Sequence, residues 1–351
     1  MKIDTKKFFV SSSPHIHTDD DTRSIMSDVI VALAFPLIMA IYFFGWRALV
    51  LTAISIISSV VFEFLFCRIM KKTSTIGDLS AVVTGLLLAL CLPVSVPLWM
   101  PLVGSFFAII VVKNLYGGLG KNFLNPALSG QAFLFSWPAL ISLWTKPNLG
   151  ANALSAFGHI TREKLTPDVI ASVTPLAKMK LGYLPTAAMG DIDVISRLRD
   201  VAMGNVAGAM GEVSAVVIIA AAIYLLIRRV ITIHIPASYV LTVALLTFIF
   251  PLGGNPNLLW SLFSVLSGGL LFGAVFMATD YATSPATPKG RIVYGIGCGV
   301  LTFVFRYFGA YSEGVTFAIL IMNLMTFFIE RVCRSRRYGV KKVKAGAKNE
   351  E

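Results

Sequence analysis

Ten apolar runs dominate this chain, near 29–44, 48–70, 79–93, 98–115, 126–144, 213–227, 230–251, 259–279, 292–309 and 314–331. A bilayer core of about 30 Å takes about 20 apolar residues in a helix. Backbone N–H and C=O groups cannot be left unpaired in lipid, so the runs must be helices or strands of a closed barrel. Barrel strands alternate apolar and polar residues, and these runs do not. The sequence therefore predicts an all-α polytopic membrane protein of about ten transmembrane helices. The first and fifth runs are the least complete as spans.

Composition agrees. Of 351 residues, 56% are hydrophobic and 14% charged, against roughly 25% charged in soluble domains. That excludes a disordered chain and an ordinary cytosolic enzyme. The net charge of +12 would suit a nucleic-acid partner, so the placement of the cations decides. With the N-terminus in the cytoplasm, 21 of the 30 Lys and Arg residues fall on cytoplasmic segments or the basic tail. Seven of the rest lie in one long loop, leaving Arg47 and Arg306 near short outer connections. The excess follows the positive-inside rule, and no nucleic-acid partner is expected. This places both termini in the cytoplasm and residues 145–212 outside the cell membrane.

That long loop divides the runs five and five. The expected organisation is a cytoplasmic segment at 1–28, a five-helix unit at 29–144, the extracytoplasmic segment at 145–212, a second five-helix unit at 213–331 and a tail at 332–351. An odd number of spans reverses direction, so two related units would form an inverted repeat. Gly85 to Pro97 aligns with Gly273 to Pro285 at an offset of 188, each an apolar helix that ends at proline. Broken helices at matching positions point to a buried site.

Cys67, Cys91, Cys298 and Cys333 show no C-x-x-C spacing, so no metal centre is read from this chain. The segment from Thr279 to Arg291 gathers Thr279, Asp280, Thr283, Ser284 and Thr287 at the end of an apolar run. Such oxygens suit a polar ligand or a hard cation, or equally an ordinary polar turn. Asn114 to Ala127 is rich in glycine and amides, including Asn122 and Asn125. Its spacing is not that of a dinucleotide loop; Asn125-Pro126 reads as a helix cap. Glu63 lies inside the second run, where a carboxylate must face protein or a wet cavity. It is either a structural carboxylate or part of an ion path.

In the outer segment, Asp168-Val169-Ile170-Ala171-Ser172-Val173-Thr174-Pro175 reads as a short extended stretch, with Thr174 pushed from the helical region by Pro175. Its hydroxyl is expected to be exposed and reachable by a modifying enzyme.

Taken together, Ser13-Pro14-His15, Ile25 to Val29, Gly117 to Asn122, Asn125-Pro126-Ala127 and the 279–291 segment resemble the NqrB/RnfD family. Its members are flavin-carrying membrane proteins of Rnf complexes and of sodium-pumping NADH:quinone oxidoreductases. The short N-terminus resembles the Rnf branch. In that family the motif Asp-x-x-[Ser/Thr]-[Gly/Ala/Ser]-[Ala/Val]-Thr directs a flavin transferase to join FMN to its last threonine. The resemblance therefore implies Thr174 as the acceptor, with Asp168 and Ser172 as motif residues; Ala171 stands where a hydroxyl residue is typical. It implies covalent FMN and electron transfer coupled to Na+ or H+ export in a ferredoxin:NAD+ oxidoreductase. The implied partners are the other proteins of an Rnf complex, especially the FMN-bearing RnfG and the membrane proteins RnfA and RnfE. A second, non-covalent flavin (riboflavin) is implied by the quinone-linked branch. Candidates for that flavin or an ion are Asn122, Asn125, Thr279, Asp280, Thr283, Ser284, Thr287 and Glu63. The alternative is an inverted-repeat solute transporter or channel without a redox role; an assembly scaffold is a third reading.

Overall fold

The computed structural model describes residues 21–72, 75–141, 144, 174, 176, 191–204, 206–212, 214–252, 256–309 and 313–334. Among these the chain is helical, with no strand. Each of the ten apolar runs contains helix, but the runs are not equivalent.

Helices α1 (Thr22–Phe44) and α2 (Trp46–Ile69) are long enough to span, as are Pro288–Phe308 and Val315–Val332. Helix α1 starts earlier than the apolar run, because the Asp21 side chain accepts the Thr22 N–H at 2.8 Å and caps it. Its polar first turns hold Asp28, which pairs with Arg228 at 3.0 Å and accepts the Tyr224 hydroxyl at 3.1 Å. The segment before residue 29 is thus partly helix.

The other runs are shorter or broken. Helix α3 covers Ser80–Leu90 and α4 Met100–Asn114, the latter wound as π-helix from Phe107. The fifth run is split: α5 (Pro126–Leu134) ends before Ser136, and α6 (Pro138–Ile141) restarts at a proline. Proline cannot continue the hydrogen-bond ladder of the preceding helix, which accounts for the break. Beyond it, α7 is Asp191–Met203, α8 Ala215–Ile227 and α9 His234–Ile249. The eighth run divides into α10 (Asn257–Leu266) and α11 (Leu270–Met277), bent by 60°. Helix α12 is Pro288–Phe308 and α13 Val315–Val332. By length and composition, four helices could cross a membrane, or five if the bent pair is one span.

Helix starts keep a register. Trp46 and His234 begin α2 and α9 at a separation of 188 positions, as do Met100 and Pro288 for α4 and α12. Pro126 and Val315 are 189 apart, Ser80 and Leu270 190.

Small residues let the helices approach closely. A Cβ on Gly85 would lie 2.7 Å from the Ser55 carbonyl, where α2 meets α3, and the Ser55 hydroxyl donates to the Gly85 carbonyl at 2.7 Å. Gly295 and Gly299 do the same for α12 against α9. Outward faces of α1, α2 and α13 leave Ile38, Ile57 and Phe327 more than half exposed, as a lipid-facing surface does.

Candidate functional site

Thr174 sits in a narrow cleft lined by Trp144, Thr174, Val206, Ala207, Gly208, Glu212, Ser267, Gly268 and Glu313. The expectation of an exposed hydroxyl is corrected here: Thr174 is 5% exposed. The residues around Thr174 in this cleft lie just before α8, just after α10 and just before α13. Asp168 and Ser172 lie outside the described residues.

The cleft floor is the break between α10 and α11. Ser267 ends α10 in an extended conformation, and Gly268 follows at φ +76°, a region that L side chains rarely occupy. The two glycines also leave the space into which two carboxylate side chains reach. A Cβ on Gly268 would fall 1.9 Å from Glu313 Oε1, and one on Gly269 would fall 2.4 Å from Glu212 Oε1. The Gly269 N–H donates to Glu313 Oε2 at 2.9 Å, so a side chain supplies the hydrogen bond that the broken helix lacks. Arg306 of α12 closes the other side, donating from Nη1 to the Ser264 carbonyl at 2.5 Å and from Nη2 to the Ser267 carbonyl at 3.4 Å. A guanidinium on the last carbonyls of a helix also opposes its dipole favourably. Arg306, which the charge count placed near an outer connection, is 5% exposed and built into this break.

Glu212 ends a short 3-10 turn, Met210–Glu212, just before α8. Burial first, and the facing Glu313 second, raise its carboxyl well above the ordinary carboxylate range.

Glu63 is held in a buried ion pair with Lys113. Lys113 Nζ donates to both its oxygens at 2.9 Å and to Ser80 Oγ at 2.6 Å, and Thr75 Oγ1 donates to Glu63 Oε1 at 2.5 Å. Both charges are buried, at 0% and 1% exposure. Lys113, counted by sequence among the cations on the cytoplasmic side, is itself buried. Its π-helical turn carries it into the contact with α2.

The two polar segments make mostly local hydrogen bonds. Asn125 caps α5 by accepting from Ala127 and Leu128, with Pro126 in the first turn, as the sequence implied. Its Nδ2 donates to the Met277 carbonyl at 3.3 Å, which ties α5 to the end of α11. Asn122 is buried and hydrogen-bonds the carbonyls of Gly118 and Lys113. In the second half, Thr287 caps α12 by accepting the Gly290 N–H at 3.1 Å. Thr279 bonds back to the Val275 carbonyl, and Asp280 accepts from Thr283 at 3.2 Å. Ser284 follows, its N–H on the Asp280 carbonyl at 3.0 Å. None of these residues lines the Thr174 cleft; Asn125 is brought to α11, while Glu63 belongs to the separate Lys113 network.

Sequence reasoning passed over Glu212, Ser267, Gly268, Glu313 and Arg306. The available signals were carboxylates directly before the runs at 213 and 314, an arginine inside a run, and a Ser-Gly-Gly interruption of another.

Broken apolar helices packed around a buried polar floor define the class: a multi-pass membrane protein with a site built where the helices break. The chain belongs to the NQR2, RnfD, RnfE family, whose model matches residues 9–339. It is 43% identical over 343 residues to the D component of the Na(+)-translocating ferredoxin:NAD(+) oxidoreductase complex of Acetobacterium woodii, covering 97% of this chain and 98% of that one. It is 36% identical to the D component of the proton-translocating ferredoxin:NAD(+) oxidoreductase complex of Clostridium ljungdahlii, over 95% and 97% of the two chains. Likeness to the D component of the ion-translocating oxidoreductase complex of Cronobacter sakazakii is 34%, over 95% and 99%.

Proposed function

We propose that this chain is the RnfD membrane component of an ion-translocating ferredoxin:NAD+ oxidoreductase, and that it carries electrons through FMN held on Thr174. The observation that carries the reading is the 43% identity, over nearly the whole of both chains, to a relative named as that component. The partners are then the other Rnf proteins, especially RnfG, RnfA and RnfE, with a flavin transferase for maturation.

Thr174 would hold the group through its hydroxyl, and Trp144 offers a ring in the same cleft. The carboxylates of Glu212 and Glu313 make a poor lining for a phosphoester, so the phosphate belongs on the open side of the cleft. Because Thr174 is buried, the transferase must reach it before the cleft has closed over it. Bound there, FMN supplies the redox chemistry; the chain fixes its address and its electrostatic surroundings.

The finer architecture is proposed as ten membrane-embedded helices in two inverted five-helix units. The shared register of helix starts near 188 positions supports it, as does the direct packing of α1 on α8, the first helix of each unit, through Asp28 and Arg228. Sidedness follows the cation count. Contacts agree with it: Asp28–Arg228 joins two segments assigned to the cytoplasm, and Tyr281 donates to the Val230 carbonyl on the same side. Arg47 donates to the carbonyls of Val94 and Val96 at 2.8 and 3.0 Å, joining two outer segments. A riboflavin or ion at the breaks near 91–97 and 278–287 stays part of this proposal.

The test is in-gel flavin fluorescence of the denatured protein from a host with the transferase. Fluorescence is expected for the native chain and lost in Thr174→Ala. Solute uptake by this chain alone in liposomes, without any flavin, would support the transporter reading instead.

A further inference from the structure

The α10–α11 break brings together two carboxyl groups in contact with each other and a buried hydroxyl without a partner. Each of two carboxylates commits one oxygen to a backbone N–H: Glu313 Oε2 to Gly269 at 2.9 Å and Glu212 Oε2 to Ala209 at 3.4 Å. Their other oxygens lie over the paired glycines, where a Cβ would meet Glu313 Oε1 at 1.9 Å and Glu212 Oε1 at 2.4 Å. A third oxygen is supplied by Ser267, which lines the same cleft at 2% exposure and whose Oγ has no hydrogen-bond partner.

Arg306 does not neutralise this arrangement by contact. Its Nη atoms are directed to the Ser264 and Ser267 carbonyls, and among the described residues no ion pair joins it to Glu212 or Glu313. With both carboxyls ionised, one guanidinium leaves a single negative charge in a buried setting, where unmatched charge is costly; without a bound cation, the proton kept by Glu212 offsets it. A proton shared by the two carboxyls would offset the charge but leave Ser267 Oγ orphaned. A small cation can take an oxygen from each of the three residues. Oxygen donors select a hard ion, one residual charge selects a monovalent one, and the bare glycines give it room at the break.

We propose that Glu212, Glu313 and Ser267 form a binding site for a small hard monovalent cation of the Na+ type at the break between α10 and α11. The inference rests on the ion-transport part of the reading above and not on the flavin. The Ser267 hydroxyl and the outer carboxylate oxygens ligate the ion; Arg306 holds the end of α10 in place and limits the site to one cation. Because Thr174 lines the same cleft, the ion lies beside the proposed flavin anchor, where its charge adds to the field at that position.

The test measures the thermal unfolding midpoint of this protein within the purified, intact complex. NaCl is titrated against choline chloride at constant ionic strength. A saturable rise with Na+ is expected, absent with choline. Glu212→Gln and Glu313→Gln, which keep shape, are expected to abolish the rise. Ser267→Ala should raise the half-saturating Na+ concentration about tenfold, the scale of one lost ligand interaction. Size-exclusion chromatography checks assembly; if one amide variant does not assemble, the other and Ser267→Ala carry the test. An unchanged Na+ response in these variants, an equal rise in choline, or a midpoint that follows pH and ignores Na+ would each overturn the site. Complex isolated from cells lacking the flavin transferase should retain the Na+ rise, which separates this inference from the flavin assignment.

Discussion

Glu313 reaches from the turn before α13 to accept the Gly269 N–H at 2.9 Å, bridging the 60° break between α10 and α11. This contact makes the break a fixed part of the fold. The last turn of α10 is held by Arg306 and the first turn of α11 by Glu313, so neither leaves its polar backbone to lipid.

Gly268→Ala should therefore be severe. The added Cβ would meet Glu313 Oε1 at 1.9 Å, at a φ of +76°. Gly118→Ala is the matched control, because its φ of +91° brings no atom within 4 Å. Strain alone costs roughly 1–2 kcal/mol. The amount of assembled complex recovered from membranes is expected to fall sharply for Gly268→Ala and only slightly for Gly118→Ala.

The Lys113–Glu63 pair gives a second contrast. Removing one partner of a buried pair costs about 3–5 kcal/mol, whereas replacing both with apolar residues can be near neutral. Glu63→Gln and Lys113→Met alone should each lower the unfolding midpoint of the purified complex. The double variant Glu63→Leu/Lys113→Met should recover most of that loss. A double variant as unstable as the sum of the singles would show that the network, with Ser80 and Thr75, matters beyond its charge.

Most of the helical content was legible in the sequence, and the reasons are physical. Apolar runs must be helix in lipid, and Asn125-Pro126 marks a start because the side chain there can take an orphan N–H. Charge, by contrast, was legible only in bulk. Lys113 and Arg306 look like topological cations by position, yet each is buried through pairing with partners 50 and about 40 residues away. Such pairing is invisible to a count along the chain. The burial of Thr174 was not legible in the sequence, because its cover comes from residues near 144, 206–212, 267 and 313.

Stability should depend on pH through Glu212. Its carboxyl is raised above the unfolded value by burial and by Glu313, so the folded chain keeps a proton that the unfolded chain has released. The stability tied to that proton is present below the ordinary carboxylate range and is lost as pH rises towards the folded value. Arg306, Glu313 and the buried Cys91 are the ionisable groups that share this environment. In choline medium the unfolding midpoint should fall as pH rises from 5, and Glu212→Gln should flatten that slope.

Sidedness is checked by single cysteines placed within 150–165. Membrane-impermeant maleimide is expected to label them from outside intact cells. Labelling only after the cytoplasmic face is opened would reverse the topology and move the proposed flavin address with it.

The central claim is that Thr174 carries FMN, and intact mass spectrometry tests it most directly. The protein, purified from a host that contains the flavin transferase, should be heavier by FMN less one water, with the increment on the peptide containing Thr174. An unmodified mass from that host, or an increment located on another peptide, would contradict the account.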